Sequence, residues 1–166
     1  MAVDMFIKIG NVKGESGDGD HKGEIDLLSW SWGASQHGSG GVGGGGGSGK
    51  VQVQDLSLTK YVDNSTATLF KMCCDGTHID SVILTVRKAG GSKALEYLTI
   101  SLEQAIVSSI STGGSAGGDR ITETVTLNFA KVAMQYKPQT DKGAAAPAVS
   151  AGWDLTANKP FDGKFK

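Results

Sequence analysis

The run from Leu95 to Thr112, LEYLTISLEQAIVSSIST, sets the tightest limit on how this chain folds. Leu98, Ile100 and Leu102, then Ile106 and Ile110, recur at even positions, with Thr99, Ser101, Glu103, Ser109 and Ser111 between them. A period of two describes a strand with one dry face and one wet face. A helix would scatter Leu98, Ile100 and Leu102 around its circumference. A usual strand has about 5–6 residues, so a strand this long must bend across two sheets or run along a barrel wall. The fold class follows: mainly β, a β-barrel or tight pair of packed, antiparallel-rich sheets with this strand as its spine.

The remaining segments fit that plan. Val3, Met5, Ile7 and Ile9 alternate with Asp4, Phe6, Lys8 and Gly10 and make a first strand. NVKGESGDGDHKGE follows as a polar, glycine-rich surface loop. Ile25–Gly33 reads as a second strand, with Leu28, Trp30 and Trp32 on one face and Ser29, Ser31 and Gly33 on the other. The indoles bury large areas, so that face belongs to the core. The opposite face is small and polar, suited to something lying against it.

Residues 38–49 hold nine glycines in twelve positions. Ordering such a tract costs much backbone entropy, which contact with a neighbour can offset. Lys50 to Asp63 reads as a third strand whose apolar parity switches near Gln54–Asp55, implying a bulge. One helix follows, capped by Ser65 or Thr66, with Leu69, Met72 and Cys73 at helical spacing and Gly76 at its C-cap. Val82, Leu84 and Val86 alternate, and Ala89-Gly90-Gly91-Ser92 turns that strand into the long one. After the glycine-rich turn 113–118, ITETVTLNFAKVAMQYK makes a second long strand, with a bulge implied near Ala130–Lys131. Thr122, Thr124, Thr126 and Asn128 line its polar face. The barrel domain is assigned to residues 1–137. The extension 138–166 reads as linker, with Trp153 and Phe161 as anchors and a short edge strand at Gly152–Leu155.

Length and charge narrow the function. The 166 residues suit one domain with a real core. A net charge of -1 gives no general attraction to nucleic acid. No apolar run of about 18 residues is present to span a bilayer, so membrane insertion is not expected. The first ten residues are too charged for a signal-peptide core, so synthesis in the cytoplasm and export by another route are expected. Cys73 and Cys74 are adjacent, a geometry that strains a disulfide, and are expected to be reduced.

No catalytic constellation stands out, and neither a cofactor nor a metal is expected. Asp18, Asp20 and Glu24 lack EF-hand spacing and flanking helices. Cys73, Cys74 and His78 lack a second ligand pair for zinc. Gly44–Lys50 matches the phosphate-loop pattern, but Val51 replaces its Ser or Thr, and a strand follows where a helix is needed. No G-x-S-x-G occurs, and His21, His37 and His78 are read as solvated or capping. Paired carboxylates for glycoside hydrolysis are missing from the strand faces.

Five blocks carry a family resemblance: HKGEIDLLSWSWG, VQDLSLTKYVDNST, LTVRKAGG, EYLTISLEQAIVSSISTGGS and ETVTLNFAKVAMQY. In this order they resemble the haemolysin-coregulated protein (Hcp) family, the tube protein of the bacterial type VI secretion system. The resemblance spans nearly all of residues 1–137 and implies a tail-tube-like barrel without enzymatic activity. It further implies hexameric rings that stack into a tube, sheath and spike partners, effectors in the lumen, and secretion without a cleaved signal peptide. It lends Ser29, Ser31 and Gly33 a lumen-facing role. The glycine loop, with Val42, Gly44, Gly46, Ser48 and Lys50, resembles an arm contacting the next subunit. Gly90, Gly91 and Ser115 fall in turns where rings would meet. The main rival reading is a monomeric, soluble β-barrel binding module, for instance one that takes a sugar.

Overall fold

The structure is a computed structural model that describes residues 3–38, 49–88, 94–140 and 145–166. The first strand, β1, spans Val3–Ile9. The run after Ile25 is not one strand but three: β2 (Ile25–Asp26), β3 (Ser29–Ser31) and β4 (Ala34–Ser35). The chain changes partners as it goes. Leu27 donates its N–H to the Met5 carbonyl at 2.9 Å, and Leu28 donates to the Thr59 carbonyl at 2.8 Å. Leu27 enters the core while Leu28 is 40% exposed, so the dry face does not reach Leu28. Trp30 and Trp32 pack half-buried against the core.

The expected third strand divides into β5 (Gln52–Val53) and β6 (Leu56–Tyr61). The parity switch at Gln54–Asp55 is therefore a full break rather than a bulge: β5 pairs with β4, whereas β6 pairs with β3. Helix α1 follows over Thr66–Asp75, ending at Gly76 with φ 66°. Ser65 stands at its N-cap but makes no cap bond; its hydroxyl and N–H both go to Asp63 Oδ1. Leu69 buries completely, and Met72 and Cys73 pack beside it, as their spacing requires.

Then come β7 (Ile79–Lys88), β8 (Leu95–Gly113), β9 (Thr122–Tyr136), β10 (Val149–Asp154) and β11 (Lys159–Pro160). Strands β7, β8 and β9 form an antiparallel meander. On its far side β9 pairs first with β6 and then, from Lys131 onward, with β10. β7 pairs with β1, and β1 with β2. Because β2 runs straight into β3, and β3 reaches β9 through β6, the ladders return to their starting strand. That circuit is the barrel. Its interior holds Ile7, Ile25, Leu58, Leu84, Ile100, Leu102, Val125 and Leu127, among others.

The spine first departs from its expected alternation at Gln104. Leu102 and its partner Val132 are buried, and so are Ala105 and its partner Phe129, although each pair is separated by three residues, an odd step, on its strand. Both strands thus change facing together. Gln104, at φ 53°, absorbs the change, leaving Ala105 and Val107, not Ile106, in the core. No register shift occurs at Ala130–Lys131; the shift in this ladder lies between Val107 and Ser109, with Ser108 as the extra residue.

Thr99 and Ser101, on the expected wet face, are only 3% and 1% exposed. Part of that outer surface is roofed by the C-terminal residues. A Cβ on Gly163 would stand 2.3 Å from the Ala133 Cβ, and one on Gly152 would stand 2.4 Å from the Phe161 carbonyl oxygen. The segment read as linker therefore continues the sheet and then folds back over it.

Candidate assembly faces

The outward sides of β3, β6, β9 and β8 form one continuous surface. Residues directly opposite in an antiparallel ladder share a face. Ser29 pairs with Thr59, Thr59 with Thr124, and Thr124 with Ser111. One step along, Ser31 pairs with Ser57, Ser57 with Thr126, and Thr126 with Ser109. Two rows of hydroxyls thus cross four strands, while Leu58, Val125 and their neighbours fill the barrel behind them. Ser109 Oγ lies 2.6 Å from Thr126 Oγ1, and Ser108 Oγ lies 2.8 Å from the same oxygen. Asp55, at the β5–β6 break, accepts from Ser108 Oγ at 2.6 Å and from Asn128 Nδ2 at 2.8 Å.

Ser29 and Ser31 are exposed members of this face. Gly33 is not: it lies beyond β3, where its carbonyl accepts from Gln54 N–H at 2.8 Å. Lys50 is exposed just before β5, at the foot of the glycine tract. Val42, Gly44, Gly46 and Ser48 lie outside the described residues, as do Gly90 and Gly91. Ser115 is exposed between β8 and β9. Reading single strands missed the width of the surface. Its signal was present all the same, because every contributing strand alternates apolar residues with Ser or Thr.

A second face is apolar. β9 and β10 run past the barrel, and with β4 and β5 they enclose a groove of about 490 Å³. Trp32, Val53, Val132, Met134, Ala151 and Trp153 line it. Strands β4 and β5 flank the glycine tract, so the groove lies at that tract's base.

Two charged clusters hold the framework. Lys60 and Glu123 are 1% and 2% exposed, with Nζ 2.6 Å from Oε1. Lys60 also donates to Asp63 Oδ1 at 2.8 Å, and Glu123 accepts from the hydroxyls of Thr66 and Thr112. This network ties β6, β8, β9 and the start of α1 together. On the opposite flank, the loop after β1 is no solvated strand-to-strand link. Asp18 takes both terminal nitrogens of Arg87, and that contact, with the Asp20 N–H, lowers the Asp18 pKa to about 2. His21, read as solvated or capping, is 6% exposed and stacks on Phe6 at 4.3 Å. Its Nδ1 stands 2.9 Å from Glu24 and its Nε2 3.3 Å from Glu96.

None of these arrangements presents a nucleophile with a base, and among the described residues no group of His, Cys, Asp or Glu could hold a metal ion. No described helix is long and apolar enough to cross a membrane. The comparison with known families decides the matter: the model of the family described as type VI secretion system effector, Hcp, matches residues 6–136. The chain belongs to the Hcp family. Hcp proteins are structural tube proteins secreted by the type VI system, not enzymes. Protein hcp1 of Pseudomonas aeruginosa is 58% identical over 159 residues, covering 95% of this chain and 98% of its own. Hcp1 from Salmonella typhimurium is 37% identical, with a TM-score of 0.79 over 97% of this chain and 100% of its own. A solved type six secretion system protein reaches a TM-score of 0.90 at 30% identity, covering 96% and 100%.

Proposed function

We propose that copies of this Hcp chain close into a hexameric ring with the hydroxyl face turned inward. Rings stack into a tube, and effectors travel in its lumen. The observation that carries this reading is the four-strand surface of Ser and Thr, uncharged over most of its area. A neutral hydroxyl wall exchanges protein contacts for water contacts at little net gain, so cargo held on it is released readily. Ser29 and Ser31 lie on that wall, with Gly33 at its rim.

Ring closure needs two different patches that meet head to tail. The apolar groove suits one of them, since contiguous apolar surface favours partner contact. The arm holding Val42, Gly44, Gly46 and Ser48, with Lys50 at its foot, is the proposed reach to the next subunit. The turns holding Gly90, Gly91 and Ser115 are the proposed contacts between rings. The tube assembles in the cytoplasm and engages sheath and spike before it is expelled with its effectors.

Negative-stain images of the purified protein test this reading. Annular particles with an open centre are expected, with native mass spectrometry giving the mass of six chains. A monomer across a wide concentration range would favour an independent binding module instead.

A further inference from the structure

Beside the two hydroxyl rows stands one carboxylate, Asp55, in a built position; farther out on the same strands Glu103 is matched by Lys131 at 3.9 Å, and Arg120 lies 3.8 Å from the centre of the Tyr61 ring. Asp55 ends the β5–β6 break, with each carboxylate oxygen fixed by a different neutral donor, Ser108 and Asn128. Ser108 is the extra residue of the β8 register shift, so the irregularity in the strand presents its hydroxyl to this carboxylate. Among the described residues no cationic side chain stands within ion-pair distance of Asp55. Among the described residues its charge is oriented but not neutralised. The outward residues around it are Ser57, Thr59, Thr124, Thr126 and Asn128, which add dipoles and no charge.

We propose that Asp55 is a cation-binding point of the cargo wall, taking lysine or arginine side chains of an effector polypeptide. This rests on the ring reading above, and it adds a selectivity to it. Ring symmetry would repeat the carboxylate around the lumen as a closed band of one sign. A concave surface lined by one sign of charge concentrates the opposite sign and repels its own. The hydroxyls then contribute weak, general contact, while Asp55 discriminates: segments rich in lysine or arginine are retained and acidic ones are excluded.

The test uses fluorescein-labelled penta-lysine and penta-glutamate peptides with the assembled protein, read by anisotropy at low and physiological salt. Penta-lysine is expected to bind with an affinity that falls as salt rises, and penta-glutamate not to bind. Asp55→Asn keeps an acceptor for a neutral donor and is expected to weaken penta-lysine about fivefold, the size of an exposed ion pair. Glu15→Gln, on the exposed loop after β1, is expected to change nothing. Ser57→Asp adds a second carboxylate to the same wall and is expected to tighten penta-lysine by a similar factor, which decides the matter if Asp55→Asn disturbs the fold. Equal binding by the parent, Asp55→Asn and Ser57→Asp would overturn the proposal. Parent particles without a central opening would reject the ring reading separately, and the peptide titration would still decide whether Asp55 takes a cation.

Discussion

At the scale of single residues, buried charge decides more than the strand pattern suggests. Lys60 follows Leu56 and Leu58 at core parity, and Glu123 precedes Val125 and Leu127 at theirs, so each charge stands where an apolar residue belongs. Taking either partner away strands the other in a dry site, which costs about 3–5 kcal/mol. Lys60→Met is therefore expected to lower unfolding free energy by that amount in urea titration. Lys60→Met combined with Glu123→Leu is expected to recover most of the loss. Asp18 gives a pH signature. Arg87 holds its pKa at about 2, below the usual carboxylate range, so its contribution is complete above pH 4–5 and lost as pH falls toward 2. Backbone amide shifts of residues 15–24 are expected to titrate together across that window and, in Asp18→Asn, to lose the transition. The sequence holds a trace of the Lys60–Glu123 pair, two opposite charges in apolar phase on separate strands. It holds none for His21, because what buries that ring is a return of the loop onto Phe6 from a distance.

At the scale of elements, the local pattern located the changes near Gln54–Asp55 and Ala130–Lys131 but not their form, and it missed the shift at Ser108 and the division of the second strand. Parity changes near Gln54–Asp55 and in the second half of the meander were legible, and so was the helix from Leu69, Met72, Cys73 and Gly76. Whether a parity change becomes a break, a bulge or a matched turn of two strands depends on which strand lies alongside, and that is not local information. The Gln104 site shows the difference. Its left-handed φ of 53° is needed so that β8 and β9 can change facing without losing register. A β-branched residue tolerates that conformation poorly, so Gln104→Ile is expected to lower stability by about 1–2 kcal/mol, while Gln104→Gly stays within about 1 kcal/mol of the parent. Thermal or urea unfolding measures both. Gly152 makes a related point. A methyl there would collide with the Phe161 carbonyl and Ala133, so Gly152→Ala is expected to lift the C-terminal residues and raise hydrogen exchange at the amide of Phe161, which donates to the Gly152 carbonyl at 3.0 Å.

At the scale of the whole molecule, the barrel and its hydroxyl face have the same cause. Each strand of β3, β6, β9 and β8 alternates, so whatever fills the core on one side leaves Ser or Thr on the other, and pairing aligns those residues into rows. A surface built this way tolerates substitution in the folded chain, because among the described residues nothing covers Ser31. Ser31→Glu is expected to change unfolding free energy by no more than about 0.5 kcal/mol, the range of ordinary surface substitutions. Its effect should appear only in the assembly. Ring symmetry would repeat the added carboxylate around the proposed opening and narrow it, so the ring mass is expected to persist while co-purification of an effector falls. Native mass spectrometry and a pull-down with tagged effector read the two quantities separately. Loss of stability without assembly would place Ser31 in a packed site, and unchanged effector capture by intact rings would place it on the outside of the tube.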